Sequence, residues 1–186
     1  QNNLGAMYLK GLGTKKNDEQ AFKWLNKAAA QNFAEAQYNL GVMYNEGFFI
    51  ANDRVKALAL FSKAANQNFA LAQFNLGTAY AEGNGVVKDE KKAFDLYRKA
   101  ADQNLAKAQF NLANAYIDGV GVTKDEQKAL ELYTKAAEQD LPEAQYNLAN
   151  LYEYTFNNKE KDKYWYEIAS KNGIEQAKDA LERFKS

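Results

Sequence analysis

The sequence has no cysteine and no histidine among its 186 residues, a single proline (Pro142), and only three serines (Ser62, Ser170 and Ser186). Without cysteine no disulfide can form, so nothing in the chain marks a redox compartment. The usual transition-metal ligands are also missing, together with the commonest general base. The expectation is a protein that is not an enzyme and carries neither cofactor nor metal. An excess of charge is absent too: 24 Lys and Arg balance 24 Asp and Glu. Such a chain projects no net field toward nucleic acid or an anionic membrane. No apolar run approaches the roughly 20 residues that span a bilayer, which argues against membrane insertion. The chain also opens at Gln1 with no initiator Met and no signal-peptide pattern.

Material for a core is plentiful. Apolar and aromatic residues make up 46% of the chain, enough to exclude a disordered tail. Their order shows an internal repeat, the first feature to look for because it decides the fold. Ala36-Gln37-Tyr38-Asn39-Leu40-Gly41 returns at Ala72–Gly77, Ala108–Ala113 and Ala144–Ala149, each time after 36 residues. Asn3-Leu4-Gly5 fits one period earlier, which puts Gln1 in mid-helix and reads as a trimmed or mature piece of a longer protein. A weaker copy, Ala177 to Leu181, follows after 33 residues.

Each period predicts two helices. In the first, Ala36, Leu40, Met43 and Tyr44 share a face at helical spacing, and Tyr8, Tyr44, Tyr80, Tyr116 and Tyr152 recur. Gly11, Gly47, Gly83 and Gly119 supply left-handed stops. The second helix opens near Asp18, Asp53, Asp89 and Asp125, since aspartate caps well at the positive end of the dipole. Its expected apolar face is Ala93, Leu96, Tyr97, Ala100 and Ala101, with copies in the other periods. It stops at Asn32, Asn68, Asn104, Asp140 and Gly173, residue types that tolerate a left-handed backbone. Pro142 falls just inside the next helix. Helices this short are marginal alone, so the hairpins must be stabilised by stacking. The last copy is degenerate: Thr155 replaces the stop glycine, and Ile174, Ala177, Ala180, Leu181 and Phe184 predict a helix polar on its other side, as a terminal cap would be.

Residues Ala72 to Ala101 carry Leu76-Gly77, Tyr80, Gly83, Gly85-Val86, Asp89, Lys92-Ala93 and Lys99-Ala100-Ala101. This pattern resembles the Sel-1-like repeat family, a relative of the tetratricopeptide repeat, over nearly the whole chain. The resemblance implies an all-α fold: a right-handed α-solenoid of antiparallel helix hairpins on a 36-residue repeat. Residues 1–186 would form one repeat domain of about five repeats. It implies an adaptor or scaffold that binds another protein or peptide on its concave face, as a monomer, and it favours a periplasmic or secreted bacterial setting over a cytoplasmic one. The alternative is a non-catalytic envelope-associated binder of cell-wall fragments or another small ligand. The disulfide-bonded branch of the family has paired cysteines, so its β-lactam binding does not carry over.

In such stacks the first helices line the inner surface. Opposite Leu40 lie Glu35, Tyr38, Val42 and Asn45; later copies place Phe74 and Thr78, then Phe110, Asn114 and Ile117, then Tyr146 and Asn150 at matching positions. Core positions barely change between copies, whereas most of these do, which points to recognition. The exception is a ladder of rings, Tyr38, Phe74, Phe110 and Tyr146, read either as anchors for a partner or as fillers between neighbouring first helices. Asn3, Asn39, Asn75, Asn111 and Asn147 form a second ladder, read as donors to a bound peptide or to the next repeat. Glu46, Glu82, Asp118 and Glu153 make either an acidic stripe for a basic segment or a solvated rim. One connector departs from the Gly-x-Gly-Val pattern: Gly47-Phe48-Phe49-Ile50. Phe48 and Phe49 either tuck onto the neighbouring connector or form a second contact point.

Overall fold

Every period of the repeat folds into a helix hairpin in a computed structural model that describes residues 1–184. The first helices are α1 (Asn2–Lys10), α3 (Ala34–Glu46), α5 (Ala70–Glu82), α7 (Ala106–Asp118) and α9 (Pro142–Tyr154). Their partners are α2 (Asp18–Ala30), α4 (Arg54–Asn66), α6 (Glu90–Ala101), α8 (Glu126–Ala137) and α10 (Lys159–Lys171), and α11 (Glu175–Glu182) follows. No strand occurs among the described residues, and no helix there is long and apolar enough to cross a membrane.

The connector closes in the same way in each regular copy. The stop glycines at Gly11, Gly47, Gly83 and Gly119 are left-handed, with φ from 68° to 74°. Six residues later a polar side chain caps the second helix: Asn17, Asp53, Asp89 and Asp125 accept from the amides of Gln20, Lys56, Lys92 and Lys128 at 2.9 to 3.0 Å. In the first copy the cap is therefore Asn17, one residue before the expected Asp18, because the glycine sets the register. The cap's own N–H donates back to Tyr8, Tyr44, Tyr80 or Tyr116 O at 2.9 to 3.0 Å. In the three Asp copies the lysine ammonium also pairs with the aspartate and lies 5.2 to 5.4 Å from the tyrosine ring centre. The recurring tyrosine, aspartate and lysine form one clasp, charge on ring and charge on charge.

The second helices end as expected, with Asn32, Asn68, Asn104 and Asp140 at φ between 59° and 64° and Gly173 at 96°. Pro142 sits at the start of α9, where its lost N–H costs nothing. The last connector lacks the glycine stop, and Thr155 keeps a right-handed backbone.

The chain divides into two compact units, Gln1–Ala100 and Ala101–Ser186. The core of the first is built on Leu25, Leu40, Met43, Phe61, Leu76 and Tyr97; that of the second on Leu112, Tyr133, Leu148, Leu151 and Tyr166. Small residues let the helices approach closely. A methyl group on Gly41 would lie 2.7 Å from the Phe61 ring. The expected face of the second helix is too narrow. Phe94 and Leu58 are buried although they lie outside it, whereas Trp24, Leu60, Leu96 and Leu132 are only half-buried. A helix such as α4 packs on its own first helix and on the next, so its apolar stripe must be wide. At the end of the chain, Ile174, Leu181 and Phe184 of the α11 segment pack against Tyr166 and Ala169.

Candidate partner-binding face

All ten first-helix positions expected to meet a partner are half-buried: Tyr38, Val42, Asn45, Phe74, Thr78, Phe110, Asn114, Ile117, Tyr146 and Asn150. Their surroundings explain why. Each ladder ring tilts against an aromatic ring of the second helix in its own hairpin. Tyr38 lies 5.7 Å from Phe61, and Phe74, Phe110 and Tyr146 lie 5.9 Å from Tyr97, Tyr133 and Tyr166. Tyr38 also meets Phe69 at 5.3 Å. Burial pushes the Tyr38 phenol up, partly offset by a hydrogen bond with Asn75.

One position on this face answers to the core. Thr78 Oγ1 lies 3.3 Å from Tyr97 Oη, Tyr133 Oη donates to Asn114 Oδ1, and the Asn150 side-chain amide lies 2.6 Å from Tyr166 Oη. In the copy with Val42, the facing ring is Phe61, which has no hydroxyl. The change from Val to Thr to Asn thus follows the chemistry of the facing ring. Asn45, one turn further on, shows no such pairing, whereas Ile117 packs against the core of the second unit.

The asparagine ladder bonds inward. Asn147 Nδ2 reaches Asn114 Oδ1 at 3.4 Å and Tyr133 Oη at 3.3 Å, while Asn75 bonds Tyr38. The acidic stripe is uneven. Glu153 accepts from Tyr166 at 2.5 Å and from Arg183 at 2.9 Å, whereas Glu82 and Asp118 are exposed. Burial, together with the Glu153 carboxylate, drives the Tyr166 phenol far above its ordinary range.

Sequence reading missed a third ladder. Gln37, Gln73, Gln109 and Gln145 are buried, at most 2% exposed. Gln37, Gln73 and Gln109 donate to Asn32, Asn68 and Asn104 Oδ1 at 2.9 to 3.0 Å, on the left-handed turn just before. The carbonyls of Gln37, Gln109 and Gln145 accept from the end of the second helix: Gln67 on Gln37 and Gln139 on Gln109, both 2.7 Å, and Asn172 on Gln145, 2.8 Å. The signal was present as the invariant Gln of the Ala-Gln pair, on a core-flanking position.

The loop of the second connector is partly covered. Phe49 lies 5.8 Å from Phe22, and the Lys16 ammonium sits 4.9 Å from the Phe48 ring centre. Phe49 still exposes 55% of its surface. It occupies the place of the second glycine and keeps that residue's left-handed backbone, φ 66°.

The description Sel1 repeat matches residues 1–33, 34–69, 70–105, 106–141 and 142–174. Among solved structures, a Sel1 repeat protein from Oxalobacter formigenes is 39% identical, with TM-score 0.84, over 95% of this chain and 71% of that one. A protective antigen of uropathogenic Escherichia coli, c5321, is 31% identical with TM-score 0.68 over 97% of this chain. This chain spans about half of the antigen, 47%. Helicobacter pylori cysteine-rich protein B is 28% identical with TM-score 0.51, over 66% of this chain and 93% of its own. No curated protein sequence matches.

Proposed function

This chain belongs to the Sel1 repeat family, a non-catalytic repeat scaffold, and on that premise we propose that it binds a protein or peptide on a concave face formed by its first helices. The reading treats residues 1–186 as one repeat domain acting as a monomeric adaptor, without enzymatic activity.

The observation that supports it is the anchored ring ladder. Tyr38, Phe74, Phe110 and Tyr146 are held from beneath by a second ring and are neither buried nor free. Rings fixed in this way lose little conformational entropy on binding, and such rings make the best contact residues. Asn45 alongside them is free to set specificity, and Ile117 packs on the core of the second unit while keeping part of its surface open.

A photo-crosslinking amino acid placed at Asn45 or Asn114 and, for comparison, at Ala59 or Glu131 on the second helices tests this reading. Adducts with a protein partner are expected from the first pair alone. Equal capture from both pairs would move the interface off this face. Phe48 and Phe49 are proposed as a secondary contact, tested by the same residue placed at Phe49.

A further inference from the structure

The second unit holds two clefts that share Asn150. The larger, about 480 Å³, lies between α9 and the α11 segment and is lined by Tyr146, Tyr154, Asp179 and Arg183. The smaller, about 260 Å³, lies beside it; Ile117 and Leu151 line it together with Tyr133, and Glu126, Asn147 and Thr155 add polar groups.

The charges around the larger cleft do not balance. Arg183 is committed: Nη2 donates to Glu153 Oε2 at 2.9 Å and Nη1 to Tyr154 Oη at 3.0 Å. That pair cancels. Asp179 is exposed and has no ion-pair partner among the described residues. The cleft therefore carries one uncompensated negative charge beside two phenol rings. A carboxylate and aromatic rings together complement a cation, by charge and by the ring quadrupole. An anion would face Asp179 and find the guanidinium already occupied.

The smaller cleft suits an aliphatic side chain. Between the two, the Asn150 side-chain amide meets the Tyr166 hydroxyl at 2.6 Å, the one proton of that hydroxyl going to Glu153.

We propose that this groove reads a pair of residues in an extended partner segment: an aliphatic side chain against Ile117 and Leu151, and a Lys or Arg between Tyr146, Tyr154 and Asp179. The proposal rests on the reading that the first-helix face binds peptide, and it adds the chemistry of the peptide.

The test uses the full chain on an array of end-capped octapeptides with each position scanned. Wild type is expected to select Lys or Arg near a Leu, Ile, Val or Met. Asp179→Asn, an exposed change, is expected to weaken binding of basic peptides roughly fivefold, as loss of one partly screened charge pair should, and to leave the aliphatic preference intact. Ile117→Asn is expected to do the reverse. Selection of peptides with no basic preference, or with an acidic one, overturns the proposal while leaving peptide binding by this face in place; so does an Asp179→Asn protein that selects as wild type does. Retention of no peptide at all overturns both.

Discussion

The hydroxyl of Tyr97 stands 3.3 Å from that of Thr78 on the facing helix. One repeat earlier, the matched residues are Phe61 and Val42, the same pair without either hydroxyl. Core and face have therefore changed together inside a single chain.

That coupling is measurable. Phe61→Tyr alone should cost about 1 to 3 kcal/mol, because the new hydroxyl meets Val42 and has no acceptor. Adding Val42→Thr should restore much of the loss. Urea melts of the two single variants and the double variant give the interaction energy directly.

The glutamine ladder predicts a core that depends on polar contacts. Gln109→Ala removes the donor to Asn104 and the acceptor of Gln139 from a buried site. A loss of about 1 to 3 kcal/mol is expected in thermal or urea melts. Leu112→Ala, at a purely apolar position beside it, should cost about 2 to 5 kcal/mol.

Phe49 and Gly85 occupy one turn position with opposite consequences. A left-handed backbone costs a residue with a side chain about 1 to 2 kcal/mol, so Phe49→Gly should melt no lower than wild type despite losing its contact with Phe22. Gly85→Ala should melt lower. At φ 80° its new methyl would lie 2.8 Å from the Arg54 side chain and 2.9 Å from Leu58.

Acid should loosen the connector clasps. Asp53, Asp89 and Asp125 titrate below their ordinary value, first because each accepts a backbone N–H, then through the paired lysine. A lowered native pKa stabilises the fold above the unfolded value, about 4 for aspartate, and that contribution fades as pH falls through the native one. Lys56 and Lys128 are raised by the same pairs, so their contribution holds through neutral pH and is lost only at strongly alkaline pH. Asp125→Asn keeps a capping side chain but no charge. Its stability should fall less steeply than wild type between pH 4 and pH 2, read from urea melts at each pH.

Much of the fold could be read from residue spacing. Glycine and asparagine stops, polar caps and the alanine-leucine core have strong local signatures, and the structure places them within a residue of expectation. What escaped the reading depends on residues far apart in sequence. Gln109 looks like a surface residue until Asn104 and Gln139 are brought to it. Variation at Val42, Thr78, Asn114 and Asn150 follows the facing ring, which the sequence alone does not identify. Leu58 is buried because α4 packs on both α3 and α5, a fact about neighbours that its own periodicity does not carry. Of the candidate face, the ring ladder was legible as a row, but the ring beneath each member was not.

The most direct test is affinity capture from the source organism with wild type and a Phe74→Ala/Phe110→Ala variant whose helical circular dichroism matches wild type. The account predicts a protein retained by wild type and lost by the variant. Identical retention by both would contradict it, leaving the ring ladder as packing and no role in binding for this face.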